Sequence, residues 1–224
     1  KGQTRLAIDH VREAIDLDEK NSDARLNLGG IYFQQKQYNK ALKQYKEVLE
    51  DLTYDRQFRT HYNLALIYDK KGQDSKALKH LKKSLTENKN YCPALYRLGR
   101  YRLDQMDFEK AYDLFSKSSR GSCSKSPAPL YYRAYSKFKI HDLKKALDEF
   151  ETVIQMYPDS PFAKKAQRKI RKIKAQIALS GRLKKSQQER PKRQSRQYPS
   201  SSQQDRRQKK EKVRKQEKVV TPSF

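Results

Sequence analysis

The segment Asn63-Leu64-Ala65-Leu66-Ile67-Tyr68 indicates the fold, because similar segments recur along the chain. Its small third residue is matched by Gly29, Gly99 and Ala134, so successive copies are 36, 34 and 35 residues apart. An alanine follows each small residue after 12 positions, and a large apolar residue follows after 16. These pairs are Ala41 and Tyr45, Ala77 and Leu81, Ala111 and Phe115, and Ala146 and Phe150. Four copies with the same three anchors predict an internal repeat.

A period near 34 residues with these anchors is typical of the tetratricopeptide repeat (TPR), in which a short turn joins two antiparallel helices. The small residue and the alanine allow the two helices to approach closely, and the large residue fills the space between neighbouring repeats. One repeat cannot bury its own apolar face, so the repeats stack on one another. We therefore predict an all-α fold: a TPR superhelical solenoid with a C-terminal capping helix and a disordered basic tail.

Local signals place the boundaries of these parts. Lys1-Gly2-Gln3 resembles the turn inside a repeat, so we expect the chain to open on a second helix. Ser160-Pro161 provides an N-cap and a proline at the first helical position, and Ser180-Gly181 provides a helix end. Beyond it, Gln, Ser, Lys and Arg dominate without periodicity, which indicates disorder. The predicted parts are the second helix of a truncated repeat (1–21), four repeats (22–159), the capping helix (160–180) and the disordered basic tail (181–224).

Charge is concentrated at one end of the 224 residues. The formal net charge is +26, of which residues 1–161 contribute +8 and residues 162–224 contribute +18. No apolar run approaches the roughly 18 residues of a membrane-spanning helix. Three interpretations of the tail are open: a solvated tail, a contact with an anionic polymer or membrane surface, and non-specific nucleic-acid binding. The tail cations singled out are Arg182, Lys184, Lys185, Arg206, Arg207, Lys209 and Lys210.

Nothing in the sequence resembles an active site. There is no phosphate-binding glycine loop and no nucleophile elbow. We assign His10, His61, His80 and His141 to different repeats, as surface or packed side chains that do not pair at metal-ligand spacing. We therefore expect no enzymatic activity, no cofactor, no metal and no small-molecule substrate.

The two cysteines leave two interpretations open. Cys92 and Cys123 are either unpaired small residues near repeat starts, or partners in a disulfide that an oxidising compartment would permit. The second interpretation requires a Cα–Cα distance below about 7 Å. Two cysteines are too few for a disulfide scaffold or for a zinc site with four cysteine ligands.

The first helix of each repeat is expected to line a concave face. Aromatic and apolar side chains recur there, and they are either packed between helices or exposed as a groove that binds a partner protein. Two asparagines on this face, Asn27 and Asn63, could hold a peptide backbone through amide hydrogen bonds. The predicted groove residues are Leu26, Asn27, Phe33, Tyr62, Asn63, Leu66, Tyr96, Arg97, Arg100, Leu103, Tyr131, Tyr135 and Phe138.

Several segments carry a narrower resemblance. They are the irregular junction at 50–56 that leads into 61–66, the stretch 111–115, the polar loop 119–127 and the stretch 156–160. Over roughly residues 1–165 the chain resembles the PilF/PilW/Tgl group of type IV pilus biogenesis lipoproteins, or pilotins. The resemblance implies a lipid-anchored protein on the periplasmic side of the outer membrane, which helps the secretin to reach that membrane and to oligomerise. Two features depart from the group: no lipid-bearing N-terminal cysteine is visible, and the tail has no counterpart.

We therefore expect a non-enzymatic adaptor or assembly factor that holds a partner segment in its groove, most specifically a pilotin-like protein for secretin assembly. One alternative is a cell-envelope scaffold that recruits peptidoglycan enzymes. The other is a cytosolic or nucleic-acid-associated TPR adaptor that acts through its basic tail. If the resemblance fails, the expected location is the cytoplasm.

Overall fold

The computed structural model describes residues 2–120, 123–188 and 209–211. These residues contain ten long helices and no strand. The helices are α1 (Gly2–Leu17), α2 (Ser22–Gln34), α3 (Tyr38–Glu50), α4 (Gln57–Lys70), α5 (Asp74–Glu87), α6 (Cys92–Asp104), α7 (Phe108–Ser118), α8 (Pro127–Lys139), α9 (Leu143–Met156) and α10 (Pro161–Gln188). Helix pairs α2/α3, α4/α5, α6/α7 and α8/α9 pack within each pair. The all-α TPR fold expected from the sequence is confirmed.

The repeat anchors form the closest contacts of the fold. The four anchor alanines, among them Ala41 and Ala111, are fully buried. A Cβ atom on Gly29 would lie 2.7 Å from Cδ1 of Tyr45, and one on Gly99 would lie 2.8 Å from Cε1 of Phe115. The large residue of each of these two repeats thus packs directly on the small residue of its own first helix, which explains the spacing of 16.

A left-handed backbone conformation ends the first helix of every repeat. The positive φ angles are 61° at Lys36, 68° at Gly72, 58° at Met106 and 62° at His141. These positions follow the same 36, 34 and 35 residue steps as the helix anchors. Glycine adopts this conformation without steric cost, yet only Gly72 uses it, so three turns carry backbone strain.

The irregular junction after α3 is held by hydrogen bonds around one carboxylate. Asp51 accepts bonds from the backbone N–H of Thr53 at 3.0 Å and from the hydroxyl of Ser22 at 2.7 Å. The side chain of Gln57 donates to the Asp51 carbonyl at 2.6 Å. The extra residues of this junction are therefore ordered rather than loose.

A disulfide joins Cys92 to Cys123, with a Cα–Cα distance of 5.9 Å. This result decides between the two interpretations of the cysteines: they are paired. The bond ties the loop before α8 to the start of α6, the first helix of the preceding repeat.

Helix α10 continues the stack and runs further than expected. Ala166, Ile170 and Ile173 pack into the core formed by α8 and α9, as their helical spacing predicted. The predicted end of the helix at Ser180-Gly181 is wrong, because α10 continues to Gln188. An interior glycine destabilises a helix by only about 1 kcal/mol relative to alanine, and the Lys- and Gln-rich residues that follow Gly181 are good helix formers. Residues 181–188 of the predicted disordered tail are thus helical, and residues 209–211 are helical as well. The rest of the predicted tail lies outside the described residues.

Candidate partner-binding groove

The first helices α2, α4, α6 and α8 carry the predicted groove residues, and we call their shared surface the groove face. Between α4 and α6, Tyr62, Tyr96 and Arg97 line a shallow depression of about 190 Å³. Asp69 also lines the depression, where it accepts a 2.7 Å hydrogen bond from the Tyr101 hydroxyl and lies 3.6 Å from the Arg97 guanidinium. This depression is therefore aromatic and close to electrically balanced.

A larger cleft of about 530 Å³ follows toward the C-terminal end of the repeats. Its lining comprises four predicted groove residues and seven residues outside that predicted set. We call it the basic-aromatic cleft. Its lining residues are Arg100, Leu103, Asp104, Met106, Phe108, Tyr131, Tyr132, Tyr135, Lys139, Lys165 and Lys169.

Arg100 and Tyr132 form one wall of the cleft as a fixed pair. The guanidinium carbon of Arg100 lies 4.4 Å from the centre of the Tyr132 ring, and its Nη1 donates a 2.7 Å hydrogen bond to the Tyr132 hydroxyl. The Tyr132 ring also stacks on Phe115 at 5.6 Å between centroids. Because Phe115 is a buried repeat anchor, the wall is attached to the core of the solenoid.

Lysines approach the cleft from α8 and α10, and each stands over an aromatic ring. The Lys169 ammonium lies 5.0 Å from the Tyr135 ring centre and 5.2 Å from that of Phe138. Lys139 stands 5.2 Å from the ring centre of Phe108. Burial lowers the pKa of Lys169, and the neighbouring charges of Lys172 and Lys139 lower it further.

The remaining predicted groove residues have different positions. Leu26 and Tyr131 are nearly buried, with 8% and 7% of their surfaces exposed. The Tyr45 hydroxyl hydrogen-bonds Asn63, so this amide already has an internal partner. Asn27 is exposed, and the half-buried side chains are Phe33, Leu66 and Phe138.

The assignment of the histidines to different repeats is wrong for one pair. His61 on α4 and His80 on α5 belong to the same repeat, and their Nδ1 atoms lie 3.1 Å apart. His61 Nε2 lies 3.3 Å from Oε1 of Glu87. Burial lowers the pKa of each histidine to about 4. Both rings are therefore neutral at pH 7, with His61 donating to Glu87 and accepting from His80.

The tail residues are only partly described. Arg182, Lys209 and Lys210 are exposed. Lys184 and Lys185 lie within α10, whereas Arg206 and Arg207 lie outside the described residues. Over the described ranges, no cluster of three metal-ligating side chains occurs. None of the helices described is long and apolar enough to cross a membrane.

Comparison with known proteins agrees with this architecture. Residues 22–86 and 130–160 match the tetratricopeptide-repeat family. The type IV pilus assembly protein PilF of Pseudomonas aeruginosa is 26% identical over 118 residues, which are 51% of this chain and 47% of that protein. The chain thus matches about half the length of this curated relative.

Two solved structures extend the comparison. The structure of Pseudomonas aeruginosa PilF superimposes with a TM-score of 0.63 at 23% identity, covering 74% of each chain. The type IV pilus biogenesis factor PilW gives a TM-score of 0.50 at 20% identity and covers 74% of this chain and 92% of that one. The chain therefore contains tetratricopeptide repeats and is similar to the type IV pilus biogenesis proteins PilF and PilW.

Proposed function

We propose that this protein is a non-enzymatic adaptor that holds a segment of a partner protein on its groove face. Its most specific role would be that of a pilotin-like assembly factor for the secretin of type IV pili. The observation that carries this proposal is the coincidence of PilF similarity with a cleft of half-buried aromatic side chains on the groove face. Both relatives act in type IV pilus assembly or biogenesis according to their names.

Binding would be non-covalent. Aromatic side chains offer large contact areas with few rotatable bonds, so little entropy is lost when a partner covers them. Tyr96 is held between Phe115 and Tyr132 at centroid distances of 5.8 and 6.0 Å, which presents a preorganised surface. Apolar side chains of the partner would enter the cleft beside Leu103, and Asn27 would remain free to bond a peptide backbone.

The disulfide supports a location in the cell envelope. Disulfides persist in oxidising compartments such as the bacterial periplasm and are rare in the cytosol. The Cys92–Cys123 bond therefore favours the periplasmic side of the outer membrane over the cytoplasm. The exposed tail cations Arg182, Lys209 and Lys210 fit a weak contact with an anionic polymer or membrane surface there.

Affinity capture from native envelope and soluble fractions tests the proposal. The bait is the full chain, compared with Leu103→Glu, which places a charge in the cleft, and with Tyr62→Ala/Tyr96→Ala. Met156→Glu serves as the control, because Met156 is 56% exposed and does not line the cleft. Circular dichroism checks that each variant is folded.

We expect the wild type and the Met156→Glu control to capture an outer-membrane secretin, and the groove variants to lose it. Capture that survives both groove variants would refute the groove as the binding surface. Recovery of peptidoglycan enzymes instead of a secretin would favour the envelope scaffold. Recovery of nucleic acid that depends on residues 189–224 would favour the tail-based adaptor.

A further inference from the structure

The basic-aromatic cleft carries an excess of positive charge. Arg100, Lys139, Lys165 and Lys169 line it with a single acidic residue, Asp104. The ion pairs found among the described residues involve other cations, such as Arg97 with Asp69 and Lys174 with Glu151. None of the four cleft cations forms a close ion pair with a carboxylate in the part of the chain that the structure describes, although Asp104 lies near enough to Arg100 to attract it.

One lysine of this cleft, Lys169, is held where burial and neighbouring charges disfavour its ammonium form. Lys169 is half-buried over two aromatic rings, and Lys139 and Lys172 are close enough to repel it. Desolvation and like-charge repulsion both destabilise an ammonium group. A bound carboxylate would offset both effects by direct charge attraction, so the positive charge of the cleft favours an anionic group.

We propose that the basic-aromatic cleft binds a protein segment in which carboxylates alternate with apolar side chains, and this inference rests on the proposed function. The carboxylates would pair with Lys165 and Lys169 on α10 and with Arg100 on α6. The apolar side chains would contact Leu103 and the ring of Tyr135 between these cations. The recognition thus combines charge complementarity with aromatic contact area.

The ring contacts argue for an acidic peptide over a nucleic acid. Tyr131 is packed against Tyr132 at 5.3 Å and against Phe150 at 5.5 Å between centroids, and Arg100 covers Tyr132. These ring faces are therefore occupied and are not platforms on which bases could stack. Asp104 can accept a hydrogen bond from a peptide N–H.

Two matched peptides test the charge requirement. The first is a short fluorescein-labelled peptide of alternating Glu and Leu or Phe residues, and the second replaces each Glu with Gln. Their affinities for the full chain are measured by fluorescence anisotropy. Lys165→Glu/Lys169→Glu reverses the charge of the cleft. Lys164→Glu/Arg171→Glu is the control, because it makes the same change in net charge at exposed positions of α10 that do not line the cleft.

We expect the Glu peptide to bind at least about tenfold more tightly than the Gln peptide. The cleft variant should abolish this preference, and the control variant should keep most of it. Equal binding of the two peptides, with both lost in Leu103→Glu, would overturn the charge inference and leave the groove function standing. If neither peptide binds and Leu103→Glu still captures the envelope partner, both proposals are wrong. Tighter binding of a single-stranded oligonucleotide at the same lysines would also overturn the inference.

Discussion

Two adjacent glycines on α2 provide a sharp test of how the repeats pack. A Cβ atom on Gly29 would lie 2.7 and 2.9 Å from Cδ1 and Cζ of Tyr45, and closer still to Cε1. On Gly30 it would lie 3.9 Å from the Tyr45 hydroxyl, which is ordinary van der Waals contact. The Tyr45 ring is only 1% exposed, and its hydroxyl is bonded to Asn63, so the ring cannot move aside freely.

The two alanine substitutions should therefore have opposite effects. Both gain about 1 kcal/mol of helix propensity. Gly29→Ala also overpacks the contact between α2 and α3. Overpacking typically costs about 1–3 kcal/mol, which outweighs the gain in helix propensity when the Tyr45 ring is fixed. We expect Gly30→Ala to stabilise the protein by up to about 1 kcal/mol and Gly29→Ala to destabilise it by up to about 2 kcal/mol.

Urea and thermal unfolding followed by circular dichroism would measure this difference. For a chain of this size, about 1 kcal/mol corresponds to a change in melting temperature of roughly 2–4 °C. The two variants should lie on opposite sides of the wild type. Equal shifts in the same direction would show that Tyr45 does not press on Gly29, and would refute the close approach of α2 and α3.

Three further predictions concern other parts of the fold. Because His61 and His80 have folded-state pKa values of about 4, below the unfolded value of about 6.5, unfolding takes up protons. Stability should therefore fall by on the order of 3 kcal/mol as the pH drops from 6.5 towards 4. Ellman titration of the unfolded, non-reduced chain should detect no free thiol, and Cys92→Ser/Cys123→Ser should cost about 3–4 kcal/mol for a separation of 31 residues. Met106→Gly should relieve the left-handed strain and stabilise by up to about 1 kcal/mol, measured by urea unfolding.

Each of these predictions has a clear contrary outcome. A melting temperature that does not change between pH 7 and pH 5 would show that the two rings are not held neutral by burial. Two reactive thiols in the non-reduced chain would show that Cys92 and Cys123 are unpaired. A Met106→Gly variant that is clearly less stable than the wild type would show that this turn is not strained.

The fold could be predicted from the sequence because the residues that define a TPR lie close together along the chain. The small residue, the alanine and the large residue lie within 16 positions of each other, and the alanine and the large residue are buried in all four helix pairs. The disulfide could be recognised only as an alternative, because one repeat of sequence separation does not fix the path of the loop before Cys123. The length of α10 was underestimated because Gly181 resembles a helix end, although its neighbours favour helix.

The groove was harder to predict, because its accessibility depends on what covers each end. Leu26 joins a core cluster with Ile8 and Val11 of α1, and Tyr131 packs on Phe162 of α10 at 5.3 Å between centroids. From the repeat pattern alone, both side chains were predicted to be exposed on the first helix of their repeats. Lys165 and Lys169 were missed for a related reason, because α10 lies outside the repeats and the groove was predicted from the first helices of the repeats alone.

Site-specific photocrosslinking is a direct test of the claim that the groove face binds the partner. A photoreactive phenylalanine analogue would replace Leu103 in the basic-aromatic cleft or, as a control, the exposed Lys117 on α7. After irradiation in native envelope fractions, crosslinked proteins would be identified by mass spectrometry. We predict a secretin segment rich in carboxylate and apolar side chains crosslinked from position 103 and absent from position 117. Crosslinks from position 117 alone, or none from position 103 while capture persists, would contradict the claim.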